Sequence, residues 1–168
     1  SLNTFLETGD TSIVDAYAPA YIKDPAANKV GQYEYAVTTN SPSGSGAKAE
    51  GSDITVTITR SVLNSSYAGE STIFFNTTEG TANEEDYVAQ KAIPVKFAEG
   101  DADGTAKTFT IKTNVDANAA EGEEMFYIDL FKTKASALEG YEYFKFDTAY
   151  IKDAAAEASA SRTYTINN

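Results

Sequence analysis

The sequence predicts an all-β chain folded as an antiparallel sandwich of about seven strands, with an extra β segment at the N-terminus. Three observations carry that expectation. Apolar and polar residues alternate with period two from residue 53 onward, turn-forming residues punctuate the alternating runs, and no stretch of useful length repeats with the 3.6-residue period of a helix.

The first clear element is a strand over 53–60. Ile54, Val56 and Ile58 alternate with Thr55, Thr57 and Thr59, so aliphatic side chains share one face and threonines the other, as a half-buried strand requires. Strands over 70–77, 92–97, 106–113 and 125–131 follow. Their alternation is carried by Thr72 to Asn76, by Ile93/Val95/Phe97, by Phe109/Ile111 and by Phe126/Ile128/Leu130, and Tyr164/Ile166 mark a closing strand. Between them Glu79-Gly80, Glu99-Gly100-Asp101, Asp103-Gly104 and Glu121-Gly122 supply turns. The alanine-rich stretch Asp153 to Ala160 allows one short helical turn. Residues 41–49, small and polar, read as a linker between an N-terminal β segment (1–40) and the sandwich (50–168).

Composition then limits the chemistry. The 168 residues include no His, Cys or Trp, and 25 acidic residues face 13 basic ones, a formal net charge of −12. A Ser-His-Asp or Cys-His nucleophile, a His- or thiolate-held metal and a disulfide are all excluded. Carboxylates, hydroxyls, amides and backbone oxygens remain, which are ligands for hard cations. The charge balance also argues against nucleic acid and anionic membranes as partners, and no apolar run is long enough for a membrane span. Neither a basic start nor an apolar stretch marks a signal peptide at the N-terminus. Asn64-Ser65-Ser66 and Asn76-Thr77-Thr78 match the glycosylation acceptor pattern.

An internal repeat adds a second level of organisation. Ala20-Tyr21-Ile22-Lys23-Asp24 recurs as Ala149-Tyr150-Ile151-Lys152-Asp153, an offset of 129 residues, and at the same offset Tyr35-Ala36-Val37 faces Tyr164-Thr165-Ile166. The first 39 residues therefore look like a second copy of the last 39. Two readings stay open. One is a hairpin duplicated inside a single domain; the other is one repeat plus the tail of its predecessor, cut from a tandem array or lent to a neighbouring molecule.

Strand parity locates the acids. If strand 53–60 runs from end one of the sandwich to end two, antiparallel neighbours bring Glu50, Asp86 and the loop with Asp116, Glu121, Glu123 and Glu124 to end one, and a closing strand returns Asn167 and Asn168 there. In this scheme residues 132–159 stay at end two. Asp101 and Asp103 also fall at end two, and Asp101-Ala102-Asp103-Gly104 reads as a hairpin turn, since the rest of an EF-hand loop is missing. Carboxylates gathered at one end repel one another unless a cation sits among them, and calcium suits ligands drawn from several loops. An enzymatic alternative for the same residues is a paired-carboxylate glycosidase; no Trp platform for a sugar supports it. With this parity the chain enters and leaves at the same end, so a linear array needs residues 40–49 or one added strand to cross the sandwich.

These residues resemble the Calx-beta domain, a module of sodium/calcium exchangers and of large extracellular and bacterial surface proteins. The motifs are Glu50-Gly51 before a strand ending in Arg60, Gly80-Thr81-Ala82 leading to Asp86-Tyr87, Phe97 before the Gly100 turn, and Glu121-Gly122-Glu123-Glu124-Met125-Phe126 after Asp116. They cover residues 50–131 well and 162–168 more loosely. The resemblance implies an immunoglobulin-like sandwich binding Ca2+ at one end through Glu50, Asp86, Asp116, Glu121 and Glu124, with the carbonyl of Ala119 contributing. Where the family carries Asp pairs, this chain has Asp116-Ala117 and ends Asn167-Asn168. Amide oxygens bring no charge, so fewer ions or weaker binding is expected.

The function expected is a non-enzymatic, calcium-binding structural module of an extracellular surface, adhesin or matrix protein, in which Ca2+ stiffens the loops and the module junctions. Its expected partners are neighbouring repeats or identical subunits, with a surface or glycan ligand of the parent protein left open. Two alternatives are a filament subunit whose residues 1–39 complete a neighbouring sheet, and an intracellular calcium sensor.

Overall fold

A computed structural model describes residues 33–63, 68–117 and 121–154. The alternating runs become eight strands and one short helix. In chain order they are β1 (Tyr33–Thr39), a 3-10 turn (Gly44–Gly46), β2 (Lys48–Ala49), β3 (Asp53–Val62), β4 (Ser71–Glu79), β5 (Ile93–Phe97), β6 (Thr105–Lys112), β7 (Glu124–Phe131), α1 (Lys134–Glu139) and β8 (Lys145–Lys152). One sheet has the order β1-β3-β6 and the other β2-β8-β7-β4-β5, giving an immunoglobulin-like sandwich. Among the described residues, no helix is long and apolar enough to cross a membrane.

The inward positions are those the alternation marks. Ile54, Val56 and Ile58 of β3 are fully buried with Ile111 of β6, Val95 and Phe97 of β5, and Phe126, Ile128 and Leu130 of β7. Each such side chain contributes about 1.5–3 kcal/mol on leaving water. Register is fixed by this pattern, because a one-residue slip would turn every core residue outward. β3 pairs antiparallel with β6 from Asp53↔Lys112 to Arg60↔Thr105, and β4 with β7 from Phe74↔Phe131 to Glu79↔Phe126. The start of β3 and the ends of β4 and β6 therefore share end one.

Segment 132–159 does not stay at end two. Within it β8 pairs antiparallel with β7, from Leu130↔Lys145 to Glu124↔Ile151, and returns the chain to end one. Its alternation is hard to read because the outer face carries Phe146, half exposed, and Tyr150, while the inner face carries Asp147 and Ala149 before Ile151. The preceding helix α1 is a single capped turn and more. The Thr133 hydroxyl accepts from the Ser136 N–H, and Gly140 closes the helix in the left-handed conformation at φ 79°. Tyr164, Ile166 and most of the Asp153–Ala160 stretch lie outside the described residues.

β1 supplies the crossing element that the parity scheme lacks. Asn40, just past its end, exchanges bonds with Thr55 near the start of β3: the Asn40 N–H donates to the Thr55 carbonyl at 3.1 Å, and the Thr55 N–H to Asn40 Oδ1 at 2.9 Å. β1 thus runs from end two to end one. Residues 41–49 then pass from one sheet to the other along the outer edge of β8. The Tyr150 N–H donates to the Ser41 carbonyl at 2.9 Å, and β2 pairs parallel with β8 at Lys48↔Ile151 and Ala49↔Lys152. Ser41 is fully buried there and its Oγ accepts from the Lys48 N–H at 2.7 Å.

End two is closed by polar groups. The guanidinium of Arg60, the last buried residue of β3, donates to the Gly69 carbonyl at 2.6 Å, to Ser71 Oγ at 2.9 Å and to the Asp101 carbonyl at 3.4 Å, and lies 5.2 Å from the Phe97 ring centroid. Asp101 and Asp103 form turns, as the sequence suggests. Asp101 Oδ2 accepts the Ala98 N–H and Asp103 Oδ1 the Val62 N–H, both at 2.8 Å. On the outer face Asn76 is buried, accepting from the Ala92 N–H at 2.7 Å and donating to the Ala137 carbonyl at 2.8 Å, so this acceptor pattern is closed to a sugar. Asn64 lies outside the described residues.

Candidate metal centre

Three chain segments that precede or follow strands meet at end one. The loop after β4 is docked by the Gly80-Thr81-Ala82 run onto the start of β7: the Ala82 N–H donates to the Met125 carbonyl at 2.9 Å, and Thr81 Oγ1 accepts the Met125 N–H at 2.8 Å. Gly80 is required by this approach, since a Cβ there would lie 2.6 Å from the Met125 carbonyl oxygen. Farther along, Tyr87 is buried and stacked on Phe126, with centroids 4.0 Å apart and planes at 14°. Burial first, and then the nearby Glu79, push its hydroxyl up to about 12. Tyr87 anchors the loop in the core, and Asp86 beside it is held over Glu124. Asp86 Oδ2 accepts the Asn83 N–H at 2.8 Å, while its carbonyl accepts from the Asn114 N–H at 2.8 Å, joining this loop to the one after β6.

The result is a knot of carboxylates. Asp86, Glu121 and Glu124 each offer an oxygen, and these oxygens all lie within 4.8 Å of one another. Glu124 opens β7, and its carboxyl is pushed up to about 7, by burial first and then by the carboxylates of Glu121 and Asp86. Beside this group stands Glu50, in the turn between β2 and β3. Its Oε1 accepts the Asp116 N–H at 3.3 Å. Burial raises the Glu50 carboxyl, the Asp116 N–H opposes that, and the charges of Asp116, Asp153 and Glu121 raise it further. Gly51 makes the turn in the left-handed region at φ 86°, with Val115 packed where a Cβ would sit.

The structure thus brings Glu50, Asp86, Asp116, Glu121 and Glu124 to one end, with Asp86, Glu121 and Glu124 closest together. Ala119, Asn167 and Asn168 lie outside the described residues. Glu123 belongs to the same loop but points elsewhere: it accepts from Ser43 Oγ at 2.6 Å and the Gly44 N–H at 3.0 Å, and these two bonds lower its pKa. Asp153, directly after β8, is the residue that sequence reasoning missed. Both its oxygens accept the Gly122 N–H, at 3.2 and 3.1 Å, and it adds to the field on Glu50. It holds the acidic loop by its backbone and occupies the place expected of Asn167 and Asn168, just past the strand that returns to end one. The signal that finds it is the paired occurrence of Tyr-Ile-Lys-Asp in the repeat.

The donor set fits a hard divalent cation. All ligand atoms are carboxylate oxygens, and two oxygens on one calcium, each about 2.3–2.6 Å from it, are at most about 5 Å apart, which the Asp86–Glu121–Glu124 group satisfies. The raised Glu124 carboxyl has the same origin: three acids share a partly buried volume that a cation would neutralise.

Calcium-binding domains stand among the solved structures this chain resembles. The calcium-binding domain CBD12 of CALX1.1 aligns with 26% sequence identity and a TM-score of 0.45 over 60% of this chain and 39% of that one. CBD12 from CALX1.2 aligns with 22% identity and a TM-score of 0.44 over 60% and 38%, and the Calx CBD2 domain with 14% identity and 0.48 over 80% and 94%. The chain spans about two fifths of the length of the CBD12 structures. No protein-family model and no curated protein matches the sequence.

Proposed function

We propose that this chain is a non-enzymatic, calcium-binding structural module. The observation that carries the reading is the convergence of Asp86, from the loop after β4, with Glu121 and Glu124, from the segment leading into β7, to within 4.8 Å. A bound calcium cancels the repulsion there. Asp86 and Glu124, on elements locked into the core through Tyr87 and β7, form the fixed wall of the site; Glu121, Asp116 and Glu50 close it from the loop after β6 and the turn before β3. Asp153 ties the same loop to β8 through the Gly122 N–H.

The setting we infer is an extracellular surface or matrix protein. Ala117 replaces the second acid of an Asp pair, which favours weak sites of the kind that work at extracellular calcium levels, with Kd of about 10⁻⁴–10⁻³ M. Calorimetric titration of the full chain with Ca2+ tests both parts. Binding in that range, abolished by Asp86→Asn with Glu124→Gln, supports the reading. Absence of any binding sinks the module, and submicromolar affinity moves it to a sensor.

A further inference from the structure

The acidic loop is held at three successive residues by three different parts of the fold. The Gly122 N–H donates to the carboxylate of Asp153, just past β8. Glu123 grips the passage between β1 and β2: the Ser43 hydroxyl donates to one of its carboxylate oxygens at 2.6 Å and the Gly44 N–H to the other at 3.0 Å. Glu124 opens β7 and pairs with Ile151 of β8. Glu121 precedes all three across Gly122, which sits in the left-handed region at φ 85°, a joint whose angle depends on how firmly its neighbours are seated.

The passage that Glu123 grips is itself braced on both sides of the contact. Ser41 is fully buried and its carbonyl accepts the Tyr150 N–H at 2.9 Å, while Lys48 and Ala49 pair with β8 and the Lys48 N–H donates back to Ser41 Oγ at 2.7 Å. Between these anchors the Ala47 N–H closes the 3-10 turn on the Gly44 carbonyl at 3.0 Å, and Ala47 is buried. Ser43 stands at the cap position of that turn, yet its hydroxyl makes no cap bond and is given to Glu123.

We propose that Glu123, clasped by Ser43 and Gly44, is a positioning residue of the metal centre: it holds Glu121 and Glu124 on the side of Asp86 without itself touching the ion. The inference rests on the calcium reading above. At the start of a strand successive side chains point to opposite sides, so fixing Glu123 toward the passage fixes Glu124 toward Asp86. Repulsion among carboxylates whose oxygens lie within 4.8 Å pushes the loop outward, and the clasp opposes that movement, so that the ligands are gathered before an ion arrives. Such coupling is reciprocal. An ion that fixes the loop also fixes the clasp, and through it the passage that joins the two sheets.

The test is calorimetric titration of the full chain with Ca2+, together with amide hydrogen exchange in calcium and in chelator. Ser43→Ala removes one clasp bond without changing the charge, and should raise Kd about threefold; Glu123→Ala removes both bonds and should raise it about tenfold, the low end of the losses caused by groups that orient metal ligands from behind. In the Glu123→Ala background Ser43→Ala should have no further effect, which separates the clasp from the charge of Glu123. Calcium should slow exchange of the Gly44 N–H in the parent chain and leave it unchanged in Glu123→Ala. Should Glu123→Ala fold poorly, Ser43→Ala and the Gly44 exchange of the parent decide. A Ser43→Ala chain that binds like the parent, a Ser43→Ala effect that persists without Glu123, or a Gly44 exchange rate in the parent that calcium does not alter overturns the clasp and leaves the calcium reading standing. A parent chain that binds no calcium overturns both.

Discussion

The two ends of the sandwich hold similar acids in opposite circumstances. At end two Asp101 and Asp103 each accept a backbone N–H at 2.8 Å, Asp101 within its own turn and Asp103 from Val62 at the end of β3, and Lys107 lies 3.9 Å from the Asp101 carboxylate. At end one Asp86, Glu121 and Glu124 face one another, and burial and mutual repulsion keep Glu124 protonated up to about pH 7. An acid that closes a turn has its partner already; acids from different segments that face one another are left for a cation to neutralise. Asp101-Ala102-Asp103-Gly104 is suggestive of a calcium loop by spacing, and strand parity is what separates it in the sequence from the acids of end one.

The largest effect expected is at end two. Arg60→Ala removes a buried side chain that donates to Gly69, Ser71 and Asp101 and lies over the Phe97 ring, and should cost about 3 kcal/mol in urea unfolding while leaving the response to calcium intact. Loss of the calcium response together with the stability would mean that the ends are not independent. Calcium itself comes next. At a hundredfold excess over Kd it should add about 2.7 kcal/mol and raise the melting temperature by about 10 °C. Asp86→Asn with Glu124→Gln should remove most of that rise, and Asp101→Asn with Asp103→Asn should leave it.

A smaller effect tests the loop seat. Gly80→Ala forces a Cβ against the Met125 carbonyl, and should cost about 1–2 kcal/mol and weaken calcium binding with it, because Asp86 rides on the same loop. The pH dependence follows in size. In chelator, Glu124 has a folded pKa of about 7, above its unfolded value near 4.5, so its contribution is fully present below about pH 4.5 and is lost as pH rises through 7. Melting curves between pH 5 and 8 should show this loss, and Glu124→Gln should flatten it. With calcium the trend reverses, because the proton competes with the ion, and the calcium-induced rise should shrink below pH 7. Smallest is Asp129, buried on the outer face where Thr78 Oγ1 donates to it at 2.8 Å. Burial raises its pKa, so Asp129→Asn should change stability by no more than about 1 kcal/mol, in the stabilising direction at neutral pH.

Strands β3 to β7 were legible because each buries one face and exposes the other, and period two survives that arrangement intact. β8 was not, since its outer face bears Phe146 and Tyr150 and its inner face an Asp and an Ala, which inverts the usual contrast. Losing β8 also hid Asp153, whose position depends on knowing that the chain returns to end one. Glu50, Asp86, Asp116, Glu121 and Glu124 could be placed at that end by counting strand directions, which needs no side-chain detail. That Glu123 turns toward Ser43 and Gly44 while its neighbour Glu124 faces Asp86 could not, because it depends on the path of residues 41–47 along the edge of β8. The helix α1 is six residues long, too short to show a period, and only its Thr133 cap and Gly140 stop betray it.

Because β1 starts at end two and β8 finishes at end one, the described chain enters and leaves at opposite poles. A tensile load applied through Tyr33 and Asp153 is therefore directed along the strands, not across them. The backbone bonds between β1 and β3, and between β8 and its neighbours, are then strained together and cannot open one after another like a zipper. The carboxylate knot sits where that load leaves the sandwich, so an ion bound there would clamp the point at which a stretched chain would first begin to give.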